Sequence, residues 1–161
     1  MVRFKKLFSV LTITAATGLS VTMVVIALCS PWYITNIDES LPGVFYQIER
    51  GELPGRNDVA GLRVPPNPYY PEGAPFLKIV RGLAGDVVTS NGREFFVNGV
   101  FIGEAKEQTK RGNPLTLGPT GVIPPDHYFV WTPHKDSYDS RYGEVGWVTT
   151  QHILGRARRV L

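Results

Sequence analysis

From Leu7 to Ile37 the chain carries no charged side chain, and this run limits what it can fold into more than any other feature. Residues 7–29 are predominantly apolar. About 23 residues rise roughly 35 Å as a helix, enough to cross a hydrocarbon core of about 30 Å once. Arg3, Lys5 and Lys6 precede the run, and Asp38 and Glu39 are the first charges after it. The excess of basic residues on the leading side predicts an N-terminus in the cytoplasm and everything from Pro31 onward on the far side of the bilayer. Trp32 and Tyr33 fall where an aromatic belt meets the outer interface. The expected organisation is a cytoplasmic tail over 1–6, a transmembrane anchor over 7–29 and an exported domain over 31–161. The competing reading is a removed signal peptide, whose apolar region usually runs about 7 to 15 residues; this one is longer. Leu28 is also a poor fit for the small residue expected before a lipoprotein cysteine at Cys29.

Charge and cysteine usage exclude several classes. The formal charge of +3 comes from 17 basic and 14 acidic residues, and Arg3, Lys5 and Lys6 account for all of it. The exported part is neutral, and its tail of Arg156, Arg158 and Arg159 reads as a solvated strand face, so no nucleic-acid partner is expected. Cys29 is the single cysteine, which excludes an intrachain disulfide and a cysteine-based zinc cluster.

Beyond the anchor, short apolar runs are broken by glycines and prolines, with no dependable stretch of helical period, so the domain is expected to be mainly β. Strands are predicted over 44–48, 59–64, 76–81, 87–89, 94–97, 100–102, 128–131, 145–148 and 153–160. Asn98-Gly99, between two apolar triplets, predicts a two-residue hairpin, because that turn needs positive φ at both positions. Asn91-Gly92 is a weaker turn signal. Residues 65–75 are rich in proline and hold Tyr69 and Tyr70, and 103–126 is polar and rich in glycine and proline; both are expected to be surface loops. The first ends three residues before Lys78, where it either borders a cleft or is a solvated connector.

Two segments carry candidate chemistry. A serine hydroxyl is a poor nucleophile until a neighbouring base takes its proton, and a lysine can do so only when neutral. Free lysine, with a pKa near 10.4, is neutral to about one part in 2,500 at pH 7, and desolvation is the usual means of changing that. Lys78 sits among Phe76, Leu77, Ile79 and Val80. In a strand of period two, Phe76 and Val80 share its face. Ser40 stands before Leu41-Pro42. Taken alone, Ser40 reads equally as a turn residue and Lys78 as an edge-strand gatekeeper. His134, near Asp136 and Asp139, raises a Ser-His alternative. The three histidines lack the close spacing of a helical metal pair, so metal-independent chemistry without a cofactor is expected.

Three ordered blocks resemble the signal peptidase I family of serine proteases, and in particular its short conjugative-transfer (TraF-type) branch, which matures pilin precursors. The segment from Asn36 through Ser40-Leu41-Pro42-Gly43 to Tyr46 resembles the branch's Ser-x-Pro box. Lys78 through Gly85-Asp86 resembles the lysine box. Ser137-Tyr138-Asp139-Ser140-Arg141, followed by Gly155-Arg156, resembles the Ser-x-Asp-Ser-Arg box and the C-terminal Gly-Arg. The resemblance implies a signal-peptidase-like β-sheet domain behind one N-terminal transmembrane helix, seated in a bacterial inner membrane with the domain in the periplasm. It implies Ser40 as nucleophile, Lys78 as general base, Ser137 as the group orienting the lysine amine, and Asp139 with Arg141 as a supporting ion pair. The expected partners are the lipid bilayer and a membrane-inserted precursor, a propilin or a secretory preprotein. The chain departs from the pattern at Asp38, where the family often has a hydroxyl residue that helps bind the oxyanion. An ionised carboxylate only accepts hydrogen bonds, which leaves the Ser40 N–H as oxyanion donor. A general signal peptidase and a non-catalytic assembly module on the same fold remain the alternatives.

Overall fold

The structure, a computed structural model, describes residues 17–23, 32–37 and 40–161. It divides into two compact units, Met1–Pro31 and Trp32–Leu161. In the first unit residues 17–23 are helical, and Thr22 Oγ1 donates to Gly18 O at 2.9 Å. Among the described residues no helix is long and apolar enough to cross a membrane. Most of the expected 7–29 span, Cys29, Asp38 and Glu39 lie outside the described residues.

The second unit is built from strands, in chain order β1 (Trp32–Thr35), β2 (Phe45–Arg50), β3 (Val59–Arg63), β4 (Pro75–Gly82), β5 (Val87–Asn91), β6 (Glu94–Val97), β7 (Val100–Glu104), β8 (Gly121–Val122), β9 (His127–Trp131), β10 (Val148–Thr149) and β11 (Ile153–Arg159). Seven strands form one sheet in the order β1-β2-β11-β3-β4-β9-β10, and four form a second in the order β7-β6-β5-β8. Neighbouring strands pair antiparallel throughout. The β6–β7 hairpin turns at Asn98 (φ 50°) and Gly99 (φ 77°), both in the left-handed region that the Asn-Gly pair supplies at little cost.

The pleat of β4 explains how one strand serves two cores. Val80 and the partly buried Phe76 join a cluster that includes Leu62, Phe95, Phe129 and Val130. The alternating Leu77 and Ile79 pack with Ile34, Leu41, Tyr46 and Ile48. Period-two alternation requires this sorting, and it places Lys78 on the face it shares with Phe76 and Val80. The larger sheet curls. A Cβ built on Gly61 of β3 would stand 2.5 Å from Ile48 Cδ1 and 3.4 Å from Ile34 Cδ1, so the side chain of Ile34, from β1 at the sheet's edge, lies across β3. Leu41, next to Ser40 in the β1–β2 loop, thereby enters the same apolar cluster as Leu77, next to Lys78.

Two expectations need correction. β1 forms a strand where only an interfacial aromatic pair was expected. The strand expected over 145–148 shrinks to Val148–Thr149, because Val145 and Gly146 donate their N–H groups to Tyr142 O at 3.1 and 2.8 Å in a turn. Residues 103–126 form a mostly exposed connection, as expected, into which β7 extends to Glu104 and from which β8 pairs with β5, with Ala105, Leu115 and Ile123 buried along it. Leu117 also bridges Tyr142.

Candidate active site

The β1–β2 loop carries Ser40. It closes where Asn36 N–H donates to Val44 O at 2.8 Å, and inside it Tyr46 OH of β2 donates to Pro42 O. Burial pushes the Tyr46 phenol up, with the nearby Arg159 charge opposing it, so the hydroxyl remains a donor. Gly43 adopts φ +97°, and a Cβ there would meet Arg159 Cδ at 2.4 Å and Leu161 O at 2.6 Å. Only glycine fits between this loop and the end of β11.

Lys78 lies mid-strand on β4 and is buried at 6% exposure. Its Nζ donates to Ser137 Oγ at 3.0 Å and stands 5.0 Å from the Phe76 ring centroid. The register explains the meeting with Ser137. Strand β9 runs antiparallel to β4 and ends with Trp131 opposite Ile79, so the segment that follows continues past Lys78.

That segment is pinned by its own polar groups. Ser140 donates its N–H to Val130 O at 3.0 Å and accepts the Val130 N–H on Oγ at 2.9 Å. Asp139 and Arg141 form a bidentate pair, Nε to Oδ1 and Nη2 to Oδ2, both 2.9 Å, with both residues buried. Arg141 Nη1 also donates to Glu104 O at 2.7 Å and Nη2 to Ser137 O at 3.4 Å, which ties β7 to the backbone of Ser137. Burial opposes the Arg141 charge, but the Asp139 hydrogen bonds and charge outweigh it, and the guanidinium is held more firmly protonated than usual.

Ser40, Lys78 and Ser137 line one cleft of about 570 Å³. One wall is aromatic: Tyr70 meets Phe76 edge-on at 4.8 Å and stacks on Tyr138 at 5.5 Å, and Tyr138 stacks on Tyr142 at 5.8 Å. Asn67 Oδ1 accepts the N–H groups of Tyr69 and Tyr70, each at 2.9 Å, so the proline-rich connector presents its tyrosines to the cleft. The lining also carries charge. Lys106 and Lys110 hydrogen-bond Asp136 and hold its carboxyl down to about 2.

His134 also lines the cleft, but its Nδ1 accepts the Asp136 N–H at 3.2 Å within a local turn. Asp136 pairs with lysines and Asp139 with Arg141, so neither carboxylate orients an imidazole as a Ser-His-Asp arrangement requires. Sequence reasoning passed over Asn36 as a functional residue. It is buried, donates from Nδ2 to Leu41 O at 2.5 Å and to Gly43 O at 2.9 Å, and accepts from Ser40 Oγ at 3.3 Å.

A family model described as signal peptidase, peptidase S26, matches residues 6–161. The chain belongs to the signal peptidase S26 family. It is a serine endopeptidase, and its family acts on membrane-associated precursor proteins. Among solved structures, a signal peptidase I from Enterococcus faecalis V583 is similar over 65% of this chain and 97% of that one, with 26% identity and a TM-score of 0.44. No match is found among curated proteins.

Proposed function

We propose that this signal peptidase family member works through a Ser40-Lys78 dyad, anchored by residues 7–29 in a bacterial inner membrane with its domain in the periplasm, and matures the propilin of a conjugative transfer system. The observation that carries the dyad is the 3.0 Å hydrogen bond from Lys78 Nζ to Ser137 Oγ on the wall of the cleft that Ser40 also lines. Burial keeps water from the amine, which works against the ammonium form, and Ser137 aims it. Neutral Lys78 takes the Ser40 proton, and the alkoxide attacks the scissile carbonyl. The oxyanion forms near the Ser40 N–H. Collapse returns the proton from Lys78 to the departing amine and leaves an acyl-serine. Water activated by Lys78 then releases the new carboxylate, or an amine of the same substrate captures the acyl group and closes a peptide ring. The Ser-x-Pro box on a compact chain with one expected anchor supports the transfer branch over a general signal peptidase, although Gly43 sits one place earlier than the branch's glycine.

Replacing Ser40 or Lys78 with Ala should drop precursor cleavage in membranes to background at normal protein level. The double variant should be no worse than either single one, because members of a catalytic unit are non-additive. Robust cleavage by Ser40→Ala refutes the dyad. Substrate class is read separately, by offering a propilin and a secretory preprotein to the same preparation and weighing the products. A cyclic product is lighter than the linear one by one water.

A further inference from the structure

One buried carboxamide makes several of the hydrogen bonds that hold the β1–β2 loop. Asn36 follows β1 directly and is 7% exposed, and a buried amide must find partners or pay for lost hydration. Its Nδ2 has two, the carbonyls of Leu41 and Gly43. A carbonyl only accepts, so the amide cannot be turned over, and Oδ1 necessarily faces Ser40. Oδ1 in turn only accepts, so the hydroxyl at 3.3 Å donates to it. With the Asn36 N–H on Val44 O, one residue grips the loop at 40, 41, 43 and 44.

We infer that Asn36 is a positioning residue that clamps the nucleophile loop through its amide donors and holds the Ser40 hydroxyl proton in the resting enzyme. The inference rests on the reading of Ser40 as nucleophile. The two amide bonds, at 2.5 and 2.9 Å, are short and fix the backbone on which Ser40 sits, while the hydroxyl contact is long and readily exchanged. Turnover through the dyad therefore requires the hydroxyl proton to leave Asn36 Oδ1 for Lys78. Aspartate cannot substitute, since its carboxylate would face two carbonyls with nothing to donate.

The test uses the full chain in detergent with a membrane-inserted precursor, and a fluorophosphonate as a direct probe of Ser40. Asn36→Ala and Asn36→Asp should each lower kcat about 100-fold, the scale of an ångström-size misplacement, with KM nearly unchanged and probe labelling slowed in proportion. The activity of Asn36→Asp relative to wild type should rise as pH falls, because a protonated carboxyl regains one donor; Asn36→Ala should show no such rise. A second measurement needs no variant. In the wild-type protein the Asn36 side-chain amide protons should exchange slowly with solvent, and labelling Ser40 should move their resonance. An unchanged kcat in Asn36→Ala, a flat pH ratio for Asn36→Asp, or amide protons that exchange as fast as exposed ones overturns the clamp. If instead Ser40→Ala cleaves normally and the probe fails to label wild type, the dyad itself has failed, an outcome distinct from failure of the clamp.

Discussion

Ser137 Oγ accepts from Lys78 Nζ at 3.0 Å, and under the proposed dyad that contact orients the amine without entering the bond changes. Ser137→Ala should therefore lower kcat about tenfold, on the scale of one net hydrogen bond, while Ser137→Thr, which restores a hydroxyl, recovers part of it. Steady-state cleavage of a membrane-inserted precursor measures both. Asp139 acts differently. It is fully buried against a buried guanidinium, so Asp139→Asn strands the charge of Arg141. A loss of about 3 to 5 kcal/mol is expected in denaturant unfolding of the domain, the usual cost of breaking a buried pair from one side. The blocks around Ser40, Lys78 and Ser137 were legible in the sequence because each is a contiguous motif. Asn36 was visible only as the first residue of its block, since its use depends on carbonyl groups that any residues at 41 and 43 would supply.

At the scale of elements, the strands that could be read were those with a strong local signal. Alternation around Lys78 predicted the sharing of faces along β4, and Asn98-Gly99 predicted a hairpin whose turn has positive φ at both positions. β1 went unread because Trp32 and Tyr33 also fit the pattern of an aromatic belt, and the strand exists through its pairing with β2. Within the mostly exposed 103–126 connection, Ala105, Leu115 and Ile123 are buried one at a time, so no period marks them. The β1–β2 loop yields a prediction of its own. Gly43→Ala puts a methyl at φ +97° within 2.4 Å of Arg159 Cδ and 2.6 Å of Leu161 O, where the left-handed backbone alone costs roughly 1 to 2 kcal/mol. The Arg159 side chain can yield but the Leu161 carbonyl is backbone, so the loop should shift. Precursor cleavage should fall well beyond the change in thermal midpoint, and Gly51→Ala, whose Cβ meets nothing within 4 Å, is the control for backbone strain alone.

Over the whole molecule, the second unit's carboxylates tie strands and loops together, and this makes stability depend on acid in a defined direction. Asp86 is a hub. Burial works against its charge, but the Leu83 N–H, the Asn98 amide and Arg56 together hold its carboxyl below the usual range, which locks the turn after β4 to the hairpin at residue 98. Asp136, between Lys106 and Lys110, is held down to about 2. Glu49 is lowered by Arg156 first, and its pairs with Arg156 and Arg158 lie across β2 and β11. In each case the folded state keeps the carboxylate ionised more strongly than the unfolded chain, where aspartate titrates near 3.9 and glutamate near 4.3. The stabilisation is therefore complete above about pH 5, and falls as pH drops through the unfolded values toward the lowered folded ones, because the unfolded chain then takes up protons that the folded one refuses. Denaturant midpoints measured from pH 7 to pH 2 should stay level down to about 5 and then decline. Asp86→Asn, which keeps the shape but not the charge, should lower the plateau and flatten the decline. A midpoint that stays level to pH 2 in the wild type would mean that these carboxylates titrate alike in both states, and that the ties across the sheets contribute nothing to holding the fold together.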